Sequence, residues 1–397
     1  LTRIFVVQIF FYGLSALTSA LLNARKLFFA AAWSPALANI VTIGFFCLLP
    51  LTKSGDNLSI DSVQHDQAAI WILGLGTTLG IVVMALAQGA AVIRHGVTFT
   101  FAPQFGHSAV KKLVRLSLWT LGYVAANQVA LVVIKNLASP GSGGVDAYSK
   151  AFVLLQLPHG LLAVSIATTF VPDLARMFHR GAHDQFSLTM ANGIRLTALL
   201  TIPASCGLWV MSKPIIGLLF QHGNFSALAT ANTARALSGL AIGLAGFSIY
   251  LFVLRGFYAR NDTRTPFFIN VVENAINIVL AIVLVDRHGV FGLGLSFSIA
   301  YLVSALIALL ILESTEVDIK LTLLAFNIAR IAVAAIVMTC VVWFSIQHIG
   351  SDAGVGALIR VVGGTLIGAA TYALALSAFG EKTMRDYLSS KITKSSR

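Results

Sequence analysis

An all-α, polytopic membrane bundle is the fold this sequence predicts, on three observations. Of 397 residues, 57% are hydrophobic and only 11% are charged, against roughly a quarter charged in an ordinary soluble domain. The few charges are grouped, and the uncharged runs between them mostly reach the about 20 residues a helix needs to cross a bilayer core. Those runs are apolar on nearly every side, without the polar face that a soluble helix keeps at a 3.6-residue period. A soluble protein would have to bury all of them with almost no amphipathic helices around them.

Taken in order, the predicted spans are Ile4–Ala24, Leu27–Thr52, Gln67–Ile93, Leu116–Ile134 and Ala151–Pro172. They continue with Leu196–Ser212, Ala236–Leu254, Pro266–Val285, His288–Leu312, Ile331–Ser351 and Val361–Gly380, eleven in all. Arg25 and Lys26 separate the first two, and the polar stretch Lys53–Asp66 separates the second from the third. Between the third and fourth, Val110, Leu113, Val114, Leu116 and Leu118 interleave with Lys111, Lys112 and Arg115. That pattern is either a helix lying on anionic headgroups or simply the basic start of the next span. The run Ser139-Pro140-Gly141-Ser142-Gly143-Gly144 makes a short turn, and Arg176–Arg195 is the longest later connection.

The net charge of +12 does not point to nucleic acid, because its distribution alternates. If the connection carrying Arg94, Lys111, Lys112 and Arg115 is cytoplasmic, 19 of the 27 basic residues fall on cytoplasmic segments, as the positive-inside rule requires. The same alternation puts the carboxyl terminus inside and the amino terminus outside. The opening Leu1, the external start and the odd span count lead to the expectation that further spans precede this sequence.

Cys47, Cys206 and Cys340 each lie within an apolar run, too far apart for a disulfide framework or a zinc site. Gly74-Leu75-Gly76 and Gly292-Leu293-Gly294 lack the strand–turn–helix context of a nucleotide loop. Gly76/Gly80 and Gly364/Gly368 have the small-residue spacing that lets helices approach closely in lipid. His179 and His183 are four apart but lack the glutamate of a zinc-protease helix, so no hydrolytic constellation is present.

Ionisable residues deep in a span require an explanation, because each costs about 2.5–3.5 kcal/mol to insert. Glu273 is the clearest, and Asn270 and Asn277 share its helix face. The stripe reads either as an ion or proton site on a transport path, or as a carboxylate paired with a nearby arginine. Asn127, Gln128 and Gln156 are the other amides at depth. Lys135 and Lys150 flank the short external turn; they either hold an anionic group there or anchor the helices at the interface. Asp262, Arg264 and Pro266 form a structural hinge: Pro266 suits a first helical turn and Asp262 can cap that helix.

Four stretches carry a resemblance. They are QIFFYGLSALTSALLNARKLFFAAAWSPALANIVTI from Gln8, QLPHGLLAVSIATTFVPDLAR from Gln156, LLFQHGNF from Leu218 and RGFYARNDTRTP from Arg255. Together, in this order, they resemble the MurJ/MviN family of lipid II flippases, within the multidrug/oligosaccharidyl-lipid/polysaccharide exporter superfamily. The resemblance implies two helical lobes around a central cavity, with three further spans ahead of the first one here. It implies residues 1–171 as the rest of the first lobe and the start of the second, 172–311 as the second lobe, 312–380 as two additional spans, and 381–397 as a cytoplasmic tail. The implied activity is flipping of the lipid-linked peptidoglycan precursor, lipid II, to the outer leaflet of the bacterial inner membrane by alternating access.

The implied partners are that precursor, the surrounding membrane lipids and proteins of cell-wall synthesis, with no nucleic acid. No cofactor is implied beyond a coupling cation, sodium or a proton. Glu273, Asn270, Asn277 and Ser296 are the ion-coupling candidates; Lys135, Lys150, Gln156 and Arg255 are the substrate-binding candidates. Relatives carry an Arg and a Glu shortly before the proline matched by Pro158, where this chain has Val153 and Gln156, with Lys150 one turn earlier. Two other functions stay in view: a polysaccharide-unit flippase or drug exporter of the same superfamily, and a membrane-embedded enzyme acting on polyprenyl-linked sugars. The enzyme would have to draw metal ligands from Asp56, Asp61 and Asp66.

Overall fold

A computed structural model describes residues 2–25, 27–52, 60–96, 108–139, 141–315 and 318–378. Most of the polar stretch Lys53–Asp66, the middle of the Arg94–Arg115 connection and the tail 381–397 lie outside the described residues. Two compact units are present, Leu1–Gln104 and Phe105–Arg397.

In the first unit, α1 (Thr2–Ala24), α2 (Phe28–Phe46), the single turn and a half of α3 (Ile60–His65) and α4 (Gln67–Arg94) follow one another. α4 lies against both α1 and α2. Gly76 meets the Phe45 ring and Gly80 meets the Ala38 carbonyl and Thr42, so the Gly-x-x-x-Gly pair marks the place where the α2 backbone comes closest. Buried Gln88 ties three helices: its Oε1 accepts from Ser15 Oγ and Thr18 Oγ, both at 2.9 Å, and its Nε2 donates to Ser34 Oγ at 2.6 Å. Gln8 Nε2 bonds Thr77 and Thr78 in the same way. Lipid offers no hydrophobic drive between helices, so close packing and such bonds hold the unit together.

The second unit runs through α5 (Ser108–Leu137), α6 (Gly144–Pro158), a π-helical segment (His159–Val164) and α7 (Ser165–His179). It continues with α8 (His183–Val210), α9 (Ser212–Phe220), α10 (Ala227–Ala241) and α11 (Leu244–Ala259), then α12 (Arg264–His288), α13 (Val290–Glu313), α14 (Leu321–His348) and α15 (Gly354–Ala378). α11 is its centre, with Tyr250, Phe252 and Phe257 fully buried and α7, α8 and α13 packed around it. α12 packs on α5 and α13, and α14 and α15 pair beside α8 and α9. Leucine, valine and phenylalanine side chains remain exposed along many of the spans, as they must where lipid is the solvent.

Among the described residues there is no strand; ten helices are long and apolar enough to cross a membrane, or eleven with one bent pair taken as a span. The chain is a multi-pass membrane protein. Two predicted spans differ in shape from the expectation. Ala236–Leu254 is not one straight helix: α10 and α11 meet at a 47° bend, where Gly243 lies against the backbone of Ser298 on α13 with no room for a Cβ. The predicted Ala151–Pro172 starts earlier, at Gly144, and runs on to His179. Pro158 lacks the N–H that would continue the α-helical ladder, and the chain passes through the π-helical segment at this point. Hydropathy registers neither feature, because a bend or an extra backbone residue leaves the apolar count unchanged.

The ends of the last two spans are tied by charge. Asp352, between α14 and α15, pairs with Arg360 of α15 and with Lys213 of α9, the latter at 2.8 Å. Arg360 also donates to the carbonyls of Ile349 and Gly350. Partial burial alone would raise the Asp352 carboxyl, but Lys213 and Arg360 outweigh it and hold the group below its ordinary range.

Candidate functional site

The α12 stripe is buried. Asn270, Glu273, Asn274 and Asn277 are each no more than 6% exposed, and they occur three and four residues apart, so one helical face carries all four. Facing them are Asn127 of α5 and Ser296 of α13. The Asn127 amide donates to Asn270 Oδ1 at 3.2 Å, and Ser296 Oγ donates to Asn277 Oδ1 at 2.9 Å. Asn274 Nδ2 donates to the Asn270 carbonyl at 2.9 Å. Glu273 Oε2 accepts from Asn270 Nδ2 at 3.4 Å, a long bond that satisfies little of a carboxylate's capacity.

Among the described residues Glu273 has no basic partner. A cavity of about 100 Å³ opens beside it, bounded by Asn127, Asn277, Tyr148, Phe152 and Tyr301. Tyr250 packs edge-on against Tyr301 at 5.4 Å between ring centres, and its buried hydroxyl makes no hydrogen bond of ordinary geometry among the described residues. The site therefore offers carboxylate, amide and hydroxyl oxygens on four helices, α5, α6, α12 and α13, around a small void. This is a donor set suited to a hard cation or to a proton held by the carboxyl.

Asn127 was visible as an amide at depth, but its place beside Glu273 and those of Tyr148, Tyr250 and Tyr301 were not legible, because only the packing of separate helices brings them there. The one signal was their chemistry, since hydroxyls and amides at depth seek partners.

The substrate-binding candidates scatter. Lys150 pairs with Asp146 one turn away and lies over the Phe225 ring, 5.3 Å from its centre, while Lys135 is exposed near the end of α5. No bond joins the two lysines to a common partner among the described residues. Gln156 on α6 and Arg255 on the otherwise buried α11 are both exposed. His159, one turn beyond Gln156, lies within electrostatic reach of Arg255. Its Nδ1 is 3.0 Å from Ser248 Oγ, and its ring centre is 4.5 Å from that of Phe247. His159 thus bridges the π-helical segment to α11, a role that nothing in its sequence neighbourhood announces beyond Pro158.

Asp262, Arg264 and Pro266 meet at the α11–α12 turn. Asp262 Oδ1 accepts from the backbone N–H groups of Arg264 and Thr265, both at 3.0 Å, so it caps α12. Pro266 is buried in the first turn, and Asn261 takes a left-handed φ of 58°. The Arg264 guanidinium lies 5.8 Å from the Trp119 ring centre and 5.7 Å from that of Phe268.

The sequence profile of the family described as "Lipid II flippase MurJ" matches residues 1–363. The chain belongs to the MurJ family. A probable lipid II flippase MurJ of Rhizobium meliloti (strain 1021) is 28% identical over 92% of this chain and 66% of its own length. That of Vibrio cholerae serotype O1 is 29% identical, over 85% of this chain and 62% of its own. The chain thus spans less than two thirds of either MurJ relative. In fold it is similar to a structure titled "Lipid II flippase MurJ, inward closed conformation", with a TM-score of 0.71 and 23% identity over 97% of this chain and 75% of that one. It is also similar in fold to a MATE crystal structure in complex with MaL6, with a TM-score of 0.64 and 13% identity over 80% of this chain and 70% of that one. MurJ-family membership agrees with the four motif stretches and with the all-helical membrane architecture.

Proposed function

We propose that this chain moves lipid-linked peptidoglycan precursor, lipid II, from the inner to the outer leaflet of the bacterial cytoplasmic membrane, by alternating access and without catalytic chemistry. Membership of the MurJ family over residues 1–363 carries this reading. The carboxyl terminus is cytoplasmic in this proposal, on the positive-inside distribution of lysine and arginine. A flippase has to offer polar groups to a charged sugar headgroup while the polyprenyl tail stays in lipid, and needs two arrangements of its helices about that site.

Glu273, Asn270, Asn277 and Ser296 bind the coupling cation or proton in this reading. The support is a buried carboxyl with no basic partner among the described residues, beside a small void lined by oxygen donors. Arg255 and Gln156, exposed on neighbouring elements near His159, contact the headgroup, while Lys135 and Lys150 meet anionic groups at the outer surface.

The test is leaflet exposure of lipid II in cells depleted of the native protein. Depletion should trap lipid II in the inner leaflet and re-expression should restore its exposure within minutes. Unchanged exposure, with another polyprenyl-linked glycan trapped instead, would assign the chain to a different lipid-linked substrate.

A further inference from the structure

We propose that the second unit carries a binding site for an anionic phospholipid, its headgroup clamped by Arg115 and Arg264 and its acyl chain laid along α5. A cleft of about 310 Å³ separates the start of α5 from the α11–α12 turn, with Arg115, Trp119, Asn261, Asp262 and Arg264 on its walls. Leu116 also lines it, and belongs as well to an open apolar groove of about 700 Å³ that runs along one face of α5 from Val114 to Val124. A polar cleft opening directly into an apolar groove is the shape of one lipid molecule.

The charges select its kind. Neither arginine has an ion pair among the described residues. Asp262 also lines the cleft, with one oxygen capping α12, but it makes no ion pair with either arginine among the described residues, and one carboxylate against two guanidiniums leaves the cleft net positive. The Arg264 guanidinium rests on the edge of the Trp119–Phe268 ring pair, within 6 Å of both ring centres, and presents a planar fork suited to phosphate oxygens. Arg264 opens α12, and Arg115 lies two turns into α5, beside the start of its apolar span at Val114, at the level where tryptophan and basic residues meet headgroups. A zwitterionic lipid brings no net charge to this net-positive cleft, whereas an anionic one does, and that difference sets the preference. A disaccharide–peptide headgroup is far too large for a cleft of this volume, whereas a phosphoglycerol headgroup fits it.

The probe is Trp119 itself. In a variant of the full chain whose other four tryptophans (Trp33, Trp71, Trp209 and Trp343) are phenylalanine, phosphatidylglycerol brominated on its acyl chains should quench Trp119 fluorescence. It should do so at concentrations about tenfold below those needed by brominated phosphatidylcholine, as expected for charge-assisted bonds to one phosphate. Arg115→Gln with Arg264→Gln should abolish that preference, and Arg115→Lys with Arg264→Lys should keep only part of it, because an ammonium supplies the charge without the planar fork. Thr120→Phe fills the groove away from the cleft and should weaken quenching with both arginines intact. Native mass spectrometry of the unaltered chain should retain phosphatidylglycerol over phosphatidylcholine, which keeps the test independent of the tryptophan background. Equal quenching by both lipids, or an unchanged preference in the double Gln variant, would overturn the proposal. So would displacement by millimolar inorganic phosphate, which would mark a headgroup-only anion site, or stronger binding of a polyprenyl diphosphate, which would mark a substrate site.

Discussion

Glu273 concentrates the question of mechanism in one side chain. Replacing it by Gln keeps its shape and removes the charge, so the two readings of a buried carboxyl separate. A structural pair would lose stability, because a buried partner is left uncompensated. With no basic partner among the described residues, Glu273→Gln should instead fold and accumulate normally, and should stop turnover or make it indifferent to the ion gradient and pH. Asp262 gives the opposite expectation. Its bonds to Arg264 N and Thr265 N are those of a helix cap, so Asp262→Ala should cost about 1 kcal/mol and lower abundance before it alters substrate preference. At Asp352, the Lys213 and Arg360 partners hold the folded carboxyl below its ordinary range. A depressed group adds stability above its unfolded pKa of about 3.9 and loses it as pH falls through the lower folded value. The melting temperature in detergent should therefore fall below about pH 4 more steeply in the wild type than in Asp352→Asn. Identical acid profiles would remove the triad from the account. The Asn270–Glu273–Asn277 stripe was legible because residues three and four apart must share a face. The His159–Ser248 contact and the tyrosines Tyr148 and Tyr301 on the cavity beside Glu273 were not, since they come from other helices and sequence distance carries no trace of that.

Glycine governs the scale of the helix. Gly239 of α10 lies against the backbone of Phe291 and Leu295, and Gly294 of α13 against that of Ala236 and Leu240, so these two helices touch backbone to backbone. Gly294→Ala should strain this contact by about 1–3 kcal/mol, seen as reduced thermal stability in detergent. Gly13→Ala, at a position open on all sides, should be nearly neutral and serves as the control. The spans themselves were readable because about 20 apolar residues have few alternatives to a membrane helix. Helix starts such as Gly144 and His183 were placed too late, because their first turns are polar and look like loop. The 47° bend between α10 and α11 follows from a tertiary contact, Gly243 on Ser298, which no local signal encodes.

For the whole molecule, the alternating topology makes a direct prediction. Cysteines placed at Ser59 and Ser142 should react with an impermeant thiol reagent added to intact cells, and one placed at Ser389 should react only after lysis; labelling at position 389 from outside would invert the orientation. The central claim joins flipping of a lipid-linked precursor to the buried polar site on α12. Its most direct measurement is the flipping of fluorescent lipid II in proteoliposomes under an imposed sodium or proton gradient, comparing the wild-type chain with Glu273→Gln. Wild-type protein should move the lipid at a rate that follows the gradient, and the Gln variant, equally incorporated, should fall to the protein-free background or lose the gradient dependence. Gradient-dependent flipping by Glu273→Gln at the wild-type rate would contradict the account.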